Sequence, residues 1–266
     1  MDNGPDMTPL DTAQAAMDAA PNDTTKRLAF YERVADSELF LVLETEPIVD
    51  KIRPALFPVE DEQYALVFDN ESRLAKFTQN PTPFLAMAGR QITAMLAGQN
   101  IGLGLNLAVA PSSMLLPASA VQWLHDTLGS SPEASEAIPI AIFPPGQLPE
   151  TLITALDTKL ATMEGLAKFA YLAEIEYENR PRSHVLAFID AIPDAEPAIA
   201  SAVSEALKFS GIEAGSLDVI FLRATNKMSS LLSKKGLRFD LPTRANFETV
   251  KVEAPGSNPD KPPILR

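Results

Sequence analysis

The side chains that could carry chemistry are few. Two histidines, His125 and His184, are the only imidazoles, and cysteine is absent. Without thiols there can be no disulfide, thiolate nucleophile, cysteine-ligated zinc or iron–sulfur cluster. A hydroxyl nucleophile needs a base beside it, but neither histidine is accompanied by a G-x-S-x-G elbow. His125 stands at the end of a helical pattern in Trp123-Leu124-His125-Asp126, where a surface or capping role is the stronger reading. His184 begins a strand after a basic loop, with the same preference. Ser112-Ser113 follows Pro111 in a turn, and such hydroxyls ordinarily bond their own backbone.

Acidic and glycine motifs divide the same way. Glu174, Glu176 and Glu178 alternate along a strand, so all three carboxylates stand on one face. That spacing suits a divalent ion or an acid–base pair. Arg180 and Arg182 follow at once, however, so an ion-paired or solvated face is favoured. Gly102-x-Gly104 lies inside an alternating strand and lacks the third glycine of a nucleotide-binding turn, and no G-x-x-x-x-G-K-[ST] occurs. The two glycines read instead as small residues that let a helix approach the sheet. Asp69-Asn70-Glu71 lacks the glycine and spacing of a calcium loop and reads as a strand stop and helix cap. No cofactor and no metal ligand set is predicted.

The elements that position these residues follow from hydrophobic period and chain breakers. The chain of 266 residues has 46% hydrophobic residues and a formal net charge of −13, which predicts globular domains and argues against nucleic acid or anionic lipid as partner. The densest basic cluster, Lys227, Lys234, Lys235 and Arg238, reads as a solvated helix end. Residues 1–23 carry five aspartates, no basic residue and no apolar h-region, predicting an acidic disordered leader, no visible secretory signal and a cytoplasmic protein. Gln91–Leu124 contains no charged residue, yet Gln99, Asn100, Pro111 and Pro117 break it too often for a membrane span. It therefore reads as core.

In order, the pattern predicts a helix over 24–35, strands over 38–44 and 64–68, and between them an irregular excursion with room for a short strand. A short helix over 71–77 and a Pro-containing loop follow. Then come a helix from Phe84 to Gly98, a strand over 101–107, a turn at 111–113 and a helix opening at Pro117. Beyond a polar joint at Gly129–Glu136 the elements run strand, helix, strand, strand, helix, strand. That is the order of a split βαβ (ferredoxin-like) arrangement. The fold class expected is α+β in two mixed helix and sheet domains, residues 24–130 and 137–245, with a Pro-rich flexible tail at 246–266.

Two segments carry a family resemblance. YALVFDNESRLAKF (64–77) followed by GLGLNLAVAPSSMLLP (102–117) resembles the N-terminal domain of the SseB family, enhanced serine sensitivity protein B. AYLAEIEYE (170–178) resembles the family's C-terminal domain. Together the likeness spans about 25–241. It implies a cytosolic protein linked to serine sensitivity, which is a phenotype and not a reaction. The expectation is a non-catalytic module that binds a protein partner, with Asn106, Ser112 and Ser113 contributing contacts. The alternatives are an enzyme of amino-acid metabolism or a small-molecule sensor with its ligand between the domains.

Overall fold

The computed structural model describes residues 7–47, 52–129, 139–146, 148–178, 181–211 and 217–243. Of the expected polar joint at Gly129–Glu136 only Gly129 is described, as the C-cap of the helix before it, and the rest of the joint and the tail at 246–266 lie outside the described residues. No helix among those described is long and apolar enough to cross a membrane. The fold is α+β, with two mixed sheets.

The first unit comprises α1 (Pro9–Ala19), α2 (Thr24–Asp36), β1 (Glu38–Val42), β2 (Leu56–Val59), β3 (Glu62–Phe68), α3 (Glu71–Thr78), β4 (Phe84–Ala88), α4 (Gly89–Leu96), β5 (Ile101–Leu105), β6 (Met114–Leu116) and α5 (Ala118–Leu128). Its sheet runs β4-β1-β3-β5-β6, with β2 beside β3. Only β3 and β5 are parallel. One sheet face meets α2, α4 and α5 through a core that includes Phe30, Leu41, Val67, Ile92, Leu105 and Leu124. The other face holds Val42, Leu66, Phe68 and Leu74 of α3.

Residues 9–19 correct the expectation of a disordered leader. Thr8 caps α1 with a full capping box to Asp11, and Leu10 is buried in the first core. The acidic composition hid a helix that docks through Leu10, with Ala13 and Met17 packed beside it, and through the buried Asp11 carboxylate. Phe84–Ala88 is a second correction: it is a strand, not the start of a helix. It pairs with β1 over five residues, from Glu38↔Ala88 to Val42↔Phe84, so an edge of the sheet overrides the helical period. The helix begins only at Gly89, where a Cβ would stand 1.9 Å from the Val34 carbonyl oxygen. Gly102 and Gly104 do not admit a helix either. A Cβ on Gly102 would meet the Leu116 carbonyl and the Tyr64 ring, and one on Gly104 the side chains of Leu107 and Leu66. Strand and side chain fill that space.

The second unit comprises β7 (Pro139–Phe143), α6 (Glu150–Ala161), β8 (Phe169–Tyr177), β9 (Ser183–Ile189), α7 (Glu196–Phe209), β10 (Leu217–Leu222), α8 (Lys227–Lys235) and β11 (Leu237–Asp240). Strand order is β10-β9-β8-β11, with β7 beside β8. The element order expected of a split βαβ unit is present, but the pairing is not. β10 lies parallel to β9, and β7 lies antiparallel to β8. In the split arrangement the first strand would lie between the third and fourth. Here α7 makes a direct β9–α7–β10 crossover, and the first strand is left at the opposite edge. A register shift between Pro139 and Ala141 in β7 sets Ile140 and Ile142 apart, leaving Ile140 60% exposed while Ile142 is buried. Helices α6 and α7 cover one sheet face through Leu156, Leu160, Ile199 and Val203, and Leu232 of α8 packs on the other.

Candidate interaction site

The polar corner at Asn106–Ser113 is built by the end of β5 and the turn after it. Asn106 takes φ +48°, a left-handed conformation that asparagine tolerates well. Its backbone N–H donates to the Val67 carbonyl at 2.9 Å. The side chain faces inward: Oδ1 accepts from the Asp69 N–H at 3.0 Å, and Nδ2 donates to Ser112 Oγ at 2.8 Å. Ser112 Oγ in turn donates to Asp11 Oδ1 at 2.5 Å. Both Asn106 and Ser112 are 0% exposed.

Asp11 links this corner to Arg73. The guanidinium of Arg73 donates to both Asp11 oxygens and to both Asp69 oxygens, the latter at 2.9 Å each. Thr8 Oγ1 adds a 2.6 Å bond to Asp69. Burial pushes the Asp11 carboxyl up. The hydrogen bonds from Arg73 and Ser112 outweigh it and hold the group well below the usual carboxylate range. The corner expected to meet a partner is thus a buried bolt that fastens α1 to the sheet. Of the three residues expected to make contacts, Asn106 and Ser112 have no surface to offer. Ser113 is exposed, and its Oγ accepts from the Ala108 N–H at 3.1 Å.

The remaining sequence candidates are dispersed. Asn70 caps α3 as expected, accepting from the Arg73 N–H. His125 lies in the last turn of α5. His184 sits across from Glu174 in the β8–β9 ladder, and its buried Nε2 has no hydrogen-bond partner among the described residues. Glu176 and Glu174 pair with Arg182 at 3.1 and 3.8 Å, and the Arg182 guanidinium lies 4.0 Å from the centre of the Phe143 ring. Glu178 is exposed. Among the described residues no group of three or more His, Asp or Glu is placed to hold a metal ion.

Two further features escaped the sequence. The first joins the units. Lys159 Nζ of α6 lies 2.7 Å from Asp36 and 3.2 Å from Glu32 of α2, and 3.4 Å from Glu205 of α7. Arg90 of α4 bonds Asp36 and, at 3.2 Å, Glu205. Burial lowers the Lys159 ammonium, but three carboxylates hold it above its usual value. Burial raises the Glu32 carboxyl despite Lys159, whereas bonds from Lys159 and Arg90 overcome burial at Asp36 and lower it. A signal was present: Lys159 interrupts the apolar stripe Leu152, Leu156, Leu160, Met163, where an ammonium must find partners.

The second is a groove of about 260 Å³ between the β2 segment and the C-terminal end of α4. Ile52, Pro54, Leu56, Met95, Leu96 and Ile101 line it, with the charged residues Glu44 and Arg53 beside them. Ile52 and Leu56 are 38% and 39% exposed. Nothing in the excursion's composition marked it, because the groove exists only where β2 meets α4.

Residues 12–123 fit the family model described as SseB protein N-terminal domain. Both segments that carried the N-terminal resemblance, 64–77 and 102–117, fall within that range. The matched span stops short of the second unit, whose likeness to the family's C-terminal domain stays a resemblance. No curated protein and no solved structure matches the chain. Residues 12–123, running from within α1 to within α5, are thus similar to the N-terminal domain of the SseB family.

Proposed function

We propose that this protein is a non-catalytic binding module of the cytoplasm, and that its partner is another protein docking on the β2–α4 groove. The observation that carries this reading is the groove itself. It gathers apolar side chains at a surface where Leu56 and Ile52 remain more than a third exposed. By contrast, the polar residues of the interior, Asp11, Arg73, Asn106 and Ser112, are engaged in joining elements. The groove is small for a drug-sized ligand, which needs roughly 300 Å³ or more, but it has room for one or two apolar side chains of a partner. Glu44 and Arg53 supply polar flanks for orientation. The acidic balance of the chain, −13 overall, favours a partner with a basic rim. The family link to serine sensitivity would then reflect the loss of such a contact.

Two alternatives place a ligand or a reaction between the domains. There Lys159, Arg90 and three carboxylates bond one another instead. A photo-crosslinking side chain installed at Leu56 should give one discrete adduct in cells, absent when Met95 is changed to Glu. The same group at Ile140, 60% exposed on the other unit, should give none. Equal labelling from both positions would refute the groove as the docking site.

A further inference from the structure

The contact between the two units has an unusual division of charge. Glu32, Asp36 and Arg90 belong to the first unit, and Lys159 and Glu205 to the second. Lys159 reaches across to Glu32 and Asp36, and Arg90 reaches across to Glu205. Each unit also keeps a pair of its own: Arg90 with Asp36, and Lys159 with Glu205 at 3.4 Å. Separation therefore strands no cation, because every guanidinium or ammonium retains a carboxylate. A hydrophobic core cut in half has no such provision.

Beside the charges stands one aromatic anchor. Phe209, the last residue of α7, is 1% exposed and packs into the core of the first unit. Its ring lies 6.3 Å from that of Trp123, which lies 5.1 Å from that of Tyr31. Trp123 itself is still 40% exposed. At Gly211, φ +71°, a Cβ would approach Thr25 Oγ1 of α2 at 3.0 Å.

We infer that the second unit is a detachable cover on the SseB-type domain, held by the Lys159–Arg90 ionic latch and the Phe209 plug, and that its release uncovers the apolar face of α2 and α5. The closed form depends on charge in an asymmetric way. With Lys159 present, two cations face three carboxylates. Without it, Arg90 alone faces Glu32, Asp36 and Glu205, and closure forces three carboxylates together. Neutralising Glu205 instead leaves two cations facing two carboxylates, with the Lys159 bonds to α2 intact.

The full-length protein tests this directly, since Trp123 is its single tryptophan and reports on the joint. In Lys159→Met, acrylamide quenching of Trp123 should rise, the radius of gyration should grow and far-UV circular dichroism should be preserved. Amide exchange in the last turn of α7 should quicken by roughly a hundredfold, as expected for one partner removed from a buried ion pair. Glu205→Gln should stay near the parent, and Lys159→Arg should restore closure. Wild-type quenching and dimensions in Lys159→Met would overturn the latch. So would opening in Glu205→Gln as large as in Lys159→Met. Collapse of both units in one transition, with loss of circular dichroism, would also overturn it by making the cluster part of a single core.

Discussion

Arg73 has carboxylates on both sides, Asp11 from α1 and Asp69 from the end of β3, and its side chain is only 8% exposed. A buried cation in this setting is costly to separate from its partners but contributes little net stability as an intact pair. Arg73→Met should therefore destabilise the fold by about 3–5 kcal/mol in urea unfolding, because it abandons two carboxylates at once. Asp11 adds a pH dependence. Its folded-state carboxyl is held below its unfolded value, so the stability it contributes is fully present above the unfolded pKa of about 4 and is lost as pH falls through the folded one. Stability measured from pH 7 down to pH 3 should decline at the acid end in the parent, and the decline should be shallower in Asp11→Asn. An equal decline in both proteins would mean that Asp11 is not the group titrating.

At the scale of elements, α1 shows how a helix in an acidic segment can be fixed. Leu10 is fully in the core, Ala13 and Met17 pack against it, and Asp11 and Gln14 are buried beside it. Were residues 1–23 a loose leader, Leu10→Ala would change stability by less than about 0.5 kcal/mol, as surface changes do. Docked as it is, with Leu10 1% exposed, the substitution should cost about 2–5 kcal/mol, and calorimetry would separate the two outcomes. β4 teaches a related lesson. Phe84, Met87, Ala88, Gln91 and Ile92 fit a helical stripe, yet the first three lie in a strand. Five ladder pairs with β1 outweigh a local period that continues correctly only from Gly89 onward.

For the whole molecule, the two units are coupled through a side chain that belongs to one and packs in the other. Phe209→Ala lies in the second unit, but it should lower the unfolding midpoint of the first, followed by Trp123 fluorescence. Units that unfold independently would leave that midpoint unchanged. The joint also explains why the charge balance of the whole chain was a poor guide to its interior. A protein of net charge −13 has placed Lys159, Arg73 and Arg90 where they bind five of its carboxylates: Asp11, Asp69, Glu32, Asp36 and Glu205.

What the sequence determined by itself was local: most helices and strands, the capping role of Asn70, the alternation of β8 that puts Glu174 and Glu176 on one face, and the SseB likeness of residues 64–77 and 102–117. Each of these depends on period, on turn chemistry or on a contiguous motif, all of which are written along the chain. Tertiary structure alone decided the rest. It turned Asn106 inward onto Ser112 and Ser112 onto Asp11, about a hundred residues away, gave the second sheet its β10-β9-β8 order, formed the β2–α4 groove, and brought Lys159 to Asp36. The physical reason is that burial of a polar group and pairing of a strand edge are settled by partners distant in sequence, and composition leaves no record of which partner will be there.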